Sequence, residues 1–130
     1  MKSIRWTLLL GLLVLAVGCN PGVKMADVKG NVSLDGKPMP SGQVMFDAGD
    51  GTVPPTLDVV AGAFSGKASV GKKTIRISSY KNVAQKGSGP GAEAEGQQNI
   101  IPAKFNTESK QTVEVKEAGP NQFEFKVASQ

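Results

Sequence analysis

Apolar and polar positions alternate with period two through most of the chain after residue 27, a pattern that predicts short strands with one buried face. Val28, Gly30, Val32 and Leu34 alternate with Lys29, Asn31 and Ser33, which sets a first strand at Val28 to Leu34. Asp35-Gly36 follows with turn chemistry, since glycine accepts a positive φ and aspartate can bond its own backbone. Pro38 and Pro40 cannot donate to a ladder, so the returning strand starts near Gln43 and carries Val44 and Phe46. Asp47 to Pro55 is a loop, broken by Gly49, Gly51 and Pro54-Pro55. Leu57 to Val60 predicts a strand and Ala61-Gly62 a turn, after which Phe64, Ala68 and Val70 share one face of the next segment. Beyond Gly71, Ile75 and Ile77 alternate with Thr74, Arg76 and Ser78 up to Tyr80, the pattern of an interior strand.

From Lys81 to Asn99 the residues turn small, polar and glycine-rich around Gly87-Ser88-Gly89-Pro90-Gly91, and so little apolar surface predicts a long mobile loop. Ile100, Ile101 and Phe105 should anchor its end on the core. The last two apolar runs place Val113 and Val115 on one strand, and Phe123, Phe125 and Val127 on the next. Pairing them as a hairpin with Val115 opposite Phe125 sets Lys116 against Glu124 and Glu114 against Lys126. A one-residue slip would turn the apolar face outward, and two-residue slips would oppose like charges. The expectation for residues 27–130 is therefore an all-β domain: a single antiparallel seven-stranded β-sandwich, with the glycine-rich loop at 81–99.

The first residues follow another pattern. Lys2 and Arg5 make a positive start, Trp6 to Val17 carries no charge over twelve residues, and Ala16-Val17-Gly18-Cys19 follows. Positive, then apolar, then small is the order of an export signal. As a helix the apolar run spans only about 18 Å, short of a hydrocarbon core of about 30 Å, so it is a poor permanent span. With Cys19 next to the small residues, this segment resembles the lipobox of bacterial lipoproteins. That resemblance implies a signal peptide at 1–18, removal at Gly18, and diacylglycerol and a further acyl chain such as palmitate on Cys19. Residues 19–26, with Pro21-Gly22, would then be a lipidated tether to the folded domain.

Composition narrows the chemistry. Cys19 is the single cysteine of the 130 residues, so no internal disulfide can form, and a lipid-capped sulfur would be inert in an oxidising compartment. Without Lys2 and Arg5, thirteen basic side chains face eleven acidic ones, too balanced for nucleic acid, and Lys72-Lys73 reads as a solvated strand start. The absence of histidine removes Ser-His-Asp, Cys-His and histidine-ligated zinc mechanisms. Asp47, Asp50 and Asp58 do not have the spacing of a calcium loop. No catalytic residue, metal or cofactor is expected.

Val28 to Pro40, then Gly62-Ala63-Phe64, Val70-Gly71-Lys72, the Ile75-Arg76-Ile77 strand and Ile101-Pro102-Ala103-Lys104-Phe105-Asn106 together resemble the carboxypeptidase regulatory-like, or transthyretin-like, β-sandwich. The match covers most of residues 27–127 and includes turn and core motifs but no catalytic one. It implies a non-catalytic module of the cell envelope; with the lipobox-like leader, the expectation is a protein held to a membrane through Cys19, with an unidentified envelope protein or polymer as partner. Asn20 after the cysteine favours the outer membrane over the inner, facing the periplasm or the cell surface. The alternative is a small-ligand or glycan-binding lipoprotein. Trp6 leaves with the leader, however, and Tyr80 is the one tyrosine, while Phe46, Phe64, Phe105, Phe123 and Phe125 fall at inward positions.

Overall fold

The computed structural model describes residues 22–86, 89–91 and 93–130. The expected signal peptide at 1–18, the lipidation site Cys19 and the tether residues Asn20 and Pro21 lie outside the described residues, as do Gly87 and Ser88 of the glycine-rich segment.

Among the described residues the chain is all-β apart from a single 3-10 turn at Ala103–Phe105. Its strands are β1 (Met25–Leu34), β2 (Lys37–Pro38), β3 (Ser41–Asp47), β4 (Thr56–Val60), β5 (Ala63–Ser69), β6 (Gly71–Ser78), β7 (Tyr80–Lys86), β8 (Glu93–Asn99), β9 (Thr112–Val115) and β10 (Asn121–Val127). Eight of them form one sheet in the order β10-β1-β5-β4-β3-β6-β9 with β2 on β1, and β7 and β8 make a separate ribbon. Neighbours in the large sheet run antiparallel except β1 and β10, which are parallel.

The sheet curls because β4 and β5 pair at one position, Val60 with Ala63, around the Ala61-Gly62 turn. Two arms, β10-β1-β5 and β4-β3-β6-β9, therefore turn their apolar faces toward each other. Phe46 of β3 meets Phe64 of β5 at 6.1 Å between ring centroids and Phe123 of β10 at 6.2 Å. Phe64 stacks on Phe125 at 5.8 Å. Around these rings Val28, Val32, Val44, Val59, Ile75, Ile77 and Val115 are buried, the alternate positions that the period-two pattern marks as inward. The two expected turns form with both central residues at positive φ, Asp35 at 52° and Gly36 at 80°, Ala61 at 49° and Gly62 at 81°. That is the type I′ geometry, whose twist matches that of the flanking strands.

Several expectations are corrected. The described residues hold ten strands rather than seven, and the pairing is not purely antiparallel. The tether gives way to β1 at Met25, and Ala26, counted in 19–26, is buried in the core. Lys72 is exposed as a solvated strand start should be, but Lys73 is 5% exposed and lies on the inward face of β6.

The final hairpin does not form. β9 pairs with β6 in one arm, setting Val115 on Gly71 and Glu114 on Lys72. β10 runs beside β1 in the other, setting Phe125 on Val32 and Glu124 on Asn31. The inward faces were legible, but the partners were not. Two cross-strand charge pairs offer about 0.2 to 1 kcal/mol each. Burying a side chain such as Val115 or Phe125 is worth about 1.5 to 3 kcal/mol. Core filling therefore decides which strands are neighbours, and the chain crosses between arms at residues 116–120.

The segment 81–99, expected as a mobile loop, is largely the β7–β8 ribbon, paired from Tyr80 with Asn99 to Lys86 with Glu93. Main-chain pairing satisfies the facing groups of its two strands and water can reach their open edges, so it needs no apolar face. The base is clipped: Asn99 Oδ1 accepts the N–H of Ser79 at 3.2 Å and of Ile101 at 3.0 Å, and Ile100 N–H donates to the Ser79 carbonyl at 2.9 Å. Ile101 is buried behind the clip, with Ile100 and Phe105 packed against the core, as expected of the anchor.

A ribbon that pairs with no other strand should be dispensable for folding. Replacing residues 81–98 by a two-residue Asn-Gly turn between Tyr80 and Asn99 is expected to shift the thermal midpoint by no more than about 4 °C, the size of a change near 1 kcal/mol or less. Differential scanning calorimetry checks it, and a larger loss would mean that the ribbon supports the core.

Candidate functional site

Charged side chains near the surface depressions are tied to strands and turns. Asp47 pairs with Arg76 at 3.0 Å and accepts the Gly49 N–H at 2.8 Å. Asp50 accepts the Thr52 hydroxyl at 2.5 Å and its N–H at 3.0 Å, and Asp58 accepts from the Gln43 amide across the β3–β4 pair at 3.3 Å. The three aspartates singled out from the sequence thus sit in three separate contacts. Among the described residues no group of three or more acidic, cysteine or histidine side chains converges.

Asp35 joins the first turn to the end of the chain. Its carboxylate accepts the Ser129 hydroxyl at 2.7 Å and the Ser129 N–H at 2.9 Å, and these bonds hold its pKa below the ordinary 3.8. The Thr52 hydroxyl and N–H lower Asp50 in the same way. A carboxylate with a depressed folded pKa stabilises the fold above its unfolded pKa, and that contribution is lost as the pH falls through the folded value. Stability should therefore hold from neutral pH down to the region of 3.8 and decline below it. Both groups are fully solvent-exposed, so the decline is shallow, and Asp35→Asn should reduce its slope in thermal melts recorded across that range.

The outer face of β10-β1-β5 is polar. Lys29 lies opposite Ser65 on one side and Gln122 on the other, and Asp27 faces Lys67 in a 2.8 Å ion pair. Two open grooves of about 530 and 520 Å³ run along it. The first is bordered by Lys29, Asn31, Asp58, Ser65 and Gln122, with Phe64 in its floor, and the second is bordered by Asp27, Lys67 and Pro120. Phe64 is buried, so these grooves present hydrogen-bonding groups and no aromatic face. Tyr80, at the base of the ribbon, is the exposed aromatic among the described residues.

A third depression, of about 320 Å³, differs in character and was not legible as a site in the sequence. It lies where the described chain enters β1 and is walled by Val23 and Met25 on one side and by Val53, Pro54 and Pro55 on the other. Lys73 also lines it. Val53 is 93% exposed and Val23 72%, high values for aliphatic side chains that share one concavity. Val23 and Met25 have the outward parity of β1, opposite in phase to Ala26, Val28 and Val32, so the period-two pattern gave no signal for them. The tip Val53-Pro54-Pro55 is separated from these residues by about thirty positions, and no local pattern joins them.

No protein-family profile and no curated protein matches the chain. Among solved structures it is similar to a DUF3823 family protein from Parabacteroides merdae, at 17% identity and a TM-score of 0.44. The likeness extends over 82% of this chain and 47% of that one, so this chain spans less than half the length of that protein.

Proposed function

We propose that this chain is a lipid-anchored, non-enzymatic protein of the bacterial envelope, whose body is a β-sandwich of the transthyretin-like, carboxypeptidase regulatory-like kind with Ig-like layering, and that it acts as a structural or interaction module. The observation that carries this reading is the single cysteine, Cys19, at the end of a short apolar leader with small residues before it. The facing arms with their interleaved phenylalanine rings support the sandwich. Carboxylates committed to turns and ion pairs support a role without catalysis.

With β1 starting at Met25, five residues separate the lipidated cysteine from the folded body, six backbone steps with a reach of about 20 Å. A body held that close engages partners at the membrane surface. Its single-sided edge strands β9 and β10 offer backbone groups for strand addition by an envelope protein or polymer. The lipid would place the protein in the outer membrane rather than the inner, facing the periplasm or the surface.

Intact mass of the protein extracted from the envelope tests the anchor: Cys19 at the N-terminus carrying lipid is the expected result, and Cys19→Ser should move the protein into the soluble fraction. A wild-type chain that is water-soluble with an unmodified Cys19 would sink the reading. The groove beside Lys29 and Asn31, with its hydrogen-bonding border, favours a second reading, a small-ligand or glycan-binding lipoprotein. Saturable binding on a glycan panel that Lys29→Ala and Asn31→Ala abolish would establish it.

A further inference from the structure

The groove at the entrance to β1 combines three features that the rest of the surface does not bring together among the described residues. Its rim is apolar and strongly exposed, with Met25 at 49% adding to Val23 and Val53. Behind the rim stands Lys73, buried to 5% exposure and without an ion-pair partner among the described residues. The carboxylate that faces it is Asp50, which feels its charge but is committed to Thr52. Next to the rim, Lys24 is held by Glu117 at 2.8 Å, and its carbonyl accepts the Val70 N–H at 2.9 Å, so the entering strand is fixed against the β5–β6 turn. The described chain begins at Gly22, one residue before the rim and three after Cys19, about 10 Å of extended backbone.

We propose that this end of the body is a membrane-seating surface: Val23, Met25 and Val53 enter the boundary between lipid headgroups and acyl chains, and the Lys73 ammonium meets a lipid phosphate. The proposal rests on the anchored reading of Cys19, because the tether leaves the body beside this groove and delivers it to the bilayer. It adds that the body is seated in one orientation rather than swinging on its tether. Apolar side chains at such a boundary lie about 5 to 10 Å below the headgroup surface. An exposed rim and a cation behind it are complementary to that layered environment, which is apolar within and phosphate-rich at the surface. Seated this way, the Asp35-Gly36 turn at the far end of β1 points away from the membrane, and the ribbon and polar grooves remain open to partners.

The test uses residues 19–130, which include every described strand and contain no other tryptophan once Trp6 is absent. The chain is coupled through Cys19 to a maleimide lipid in vesicles of phosphatidylethanolamine and phosphatidylglycerol, so that seating is measured whether or not the cell lipidates the cysteine. Failure of the anchored reading appears in the mass of the native protein, and failure of the seating appears here. Val53→Trp serves as a reporter at the groove and Lys37→Trp at the opposite end, each read by quenching with brominated acyl chains.

The expected result is quenching and a blue shift at position 53, with neither at position 37. Insertion of about twelve Gly/Ser residues between Asn20 and Pro21 lengthens the reach by about 20 Å, and quenching at 53 should survive it. Met25→Asp in the Val53→Trp chain should abolish the quenching, and Lys73→Met should weaken it. Equal quenching at both positions, none at either, or loss on lengthening the tether would overturn the proposal. So would a concentration-dependent dimer that buries position 53 without quenching, which would put a second copy in the groove.

Discussion

Gly30→Ala is expected to destabilise the protein by about 1 to 3 kcal/mol, the cost of overpacking a filled core. A Cβ at this position would stand 2.7 Å from Phe64 Cζ and closer still to the Phe123 carbonyl oxygen. Gly30 pairs with Phe64 on β5 and with Phe123 on β10, so the missing side chain is the notch that lets both neighbouring strands bring an aromatic residue to the same level. The ring can rotate away, but the carbonyl belongs to the β10 backbone and moves only if the parallel pairing opens. The urea midpoint should therefore fall, and Phe64→Leu in the Gly30→Ala background should fail to restore it. Recovery would mean that the ring, not the backbone, sets the constraint. Since β10 is an edge strand held by β1 alone, its amides should lose hydrogen-exchange protection before those of β3 and β6.

The contrast between Gly30 and the final two strands shows what kind of information was legible in the chain. Periodicity identified the inward positions of β1, β3, β5 and β6, because a buried face requires alternation whichever strand lies beside it. It placed Gly30 inward without explaining why a glycine stands there, since the reason is a neighbour some thirty residues away and another more than ninety. The same limit misassigned Val115 and Phe125. Both do face the core, but from opposite arms, and the charges used to set their register instead place Glu114 beside Lys72 and leave Glu124 opposite Asn31. Residues 81–99 were misread for another reason. Absence of apolar residues excludes a core strand, yet a clipped two-stranded ribbon needs only its own backbone pairing, water along its open edges and the Asn99 amide at its base. For the candidate site, Lys73 was read from its charge as solvated, whereas its inward place in β6 follows from the alternation with Ile75 and Ile77. Local charge and local pattern disagreed at that residue, and the pattern was right.

Removing the Asn121 side chain should cost about 2 to 3 kcal/mol, close to the loss of a core residue, because it satisfies three backbone groups at the crossing between the arms. Its Oδ1 accepts the Lys116 N–H at 2.8 Å, and its Nδ2 donates to the Lys116 carbonyl at 2.9 Å and to the Asp27 carbonyl at 3.2 Å. One amide thus joins the end of β9, the start of β10 and the adjacent β1 while 6% exposed. Buried donors and acceptors left without partners lose what water gave them in the unfolded chain. Asn121→Ala also leaves a small cavity, so Asn121→Leu is the informative companion: leucine has the same branching and number of heavy side-chain atoms, with bulkier methyl ends, but cannot hydrogen-bond. If the amide's bonds carry the stability, both variants should shift the urea midpoint by similar amounts with an unchanged slope. Recovery with leucine would show that filling the crossing matters more than bonding it. Either substitution should release the turn at residues 116–120 first, because that turn spans the two arms and Asn121 is the side chain that ties it to β1.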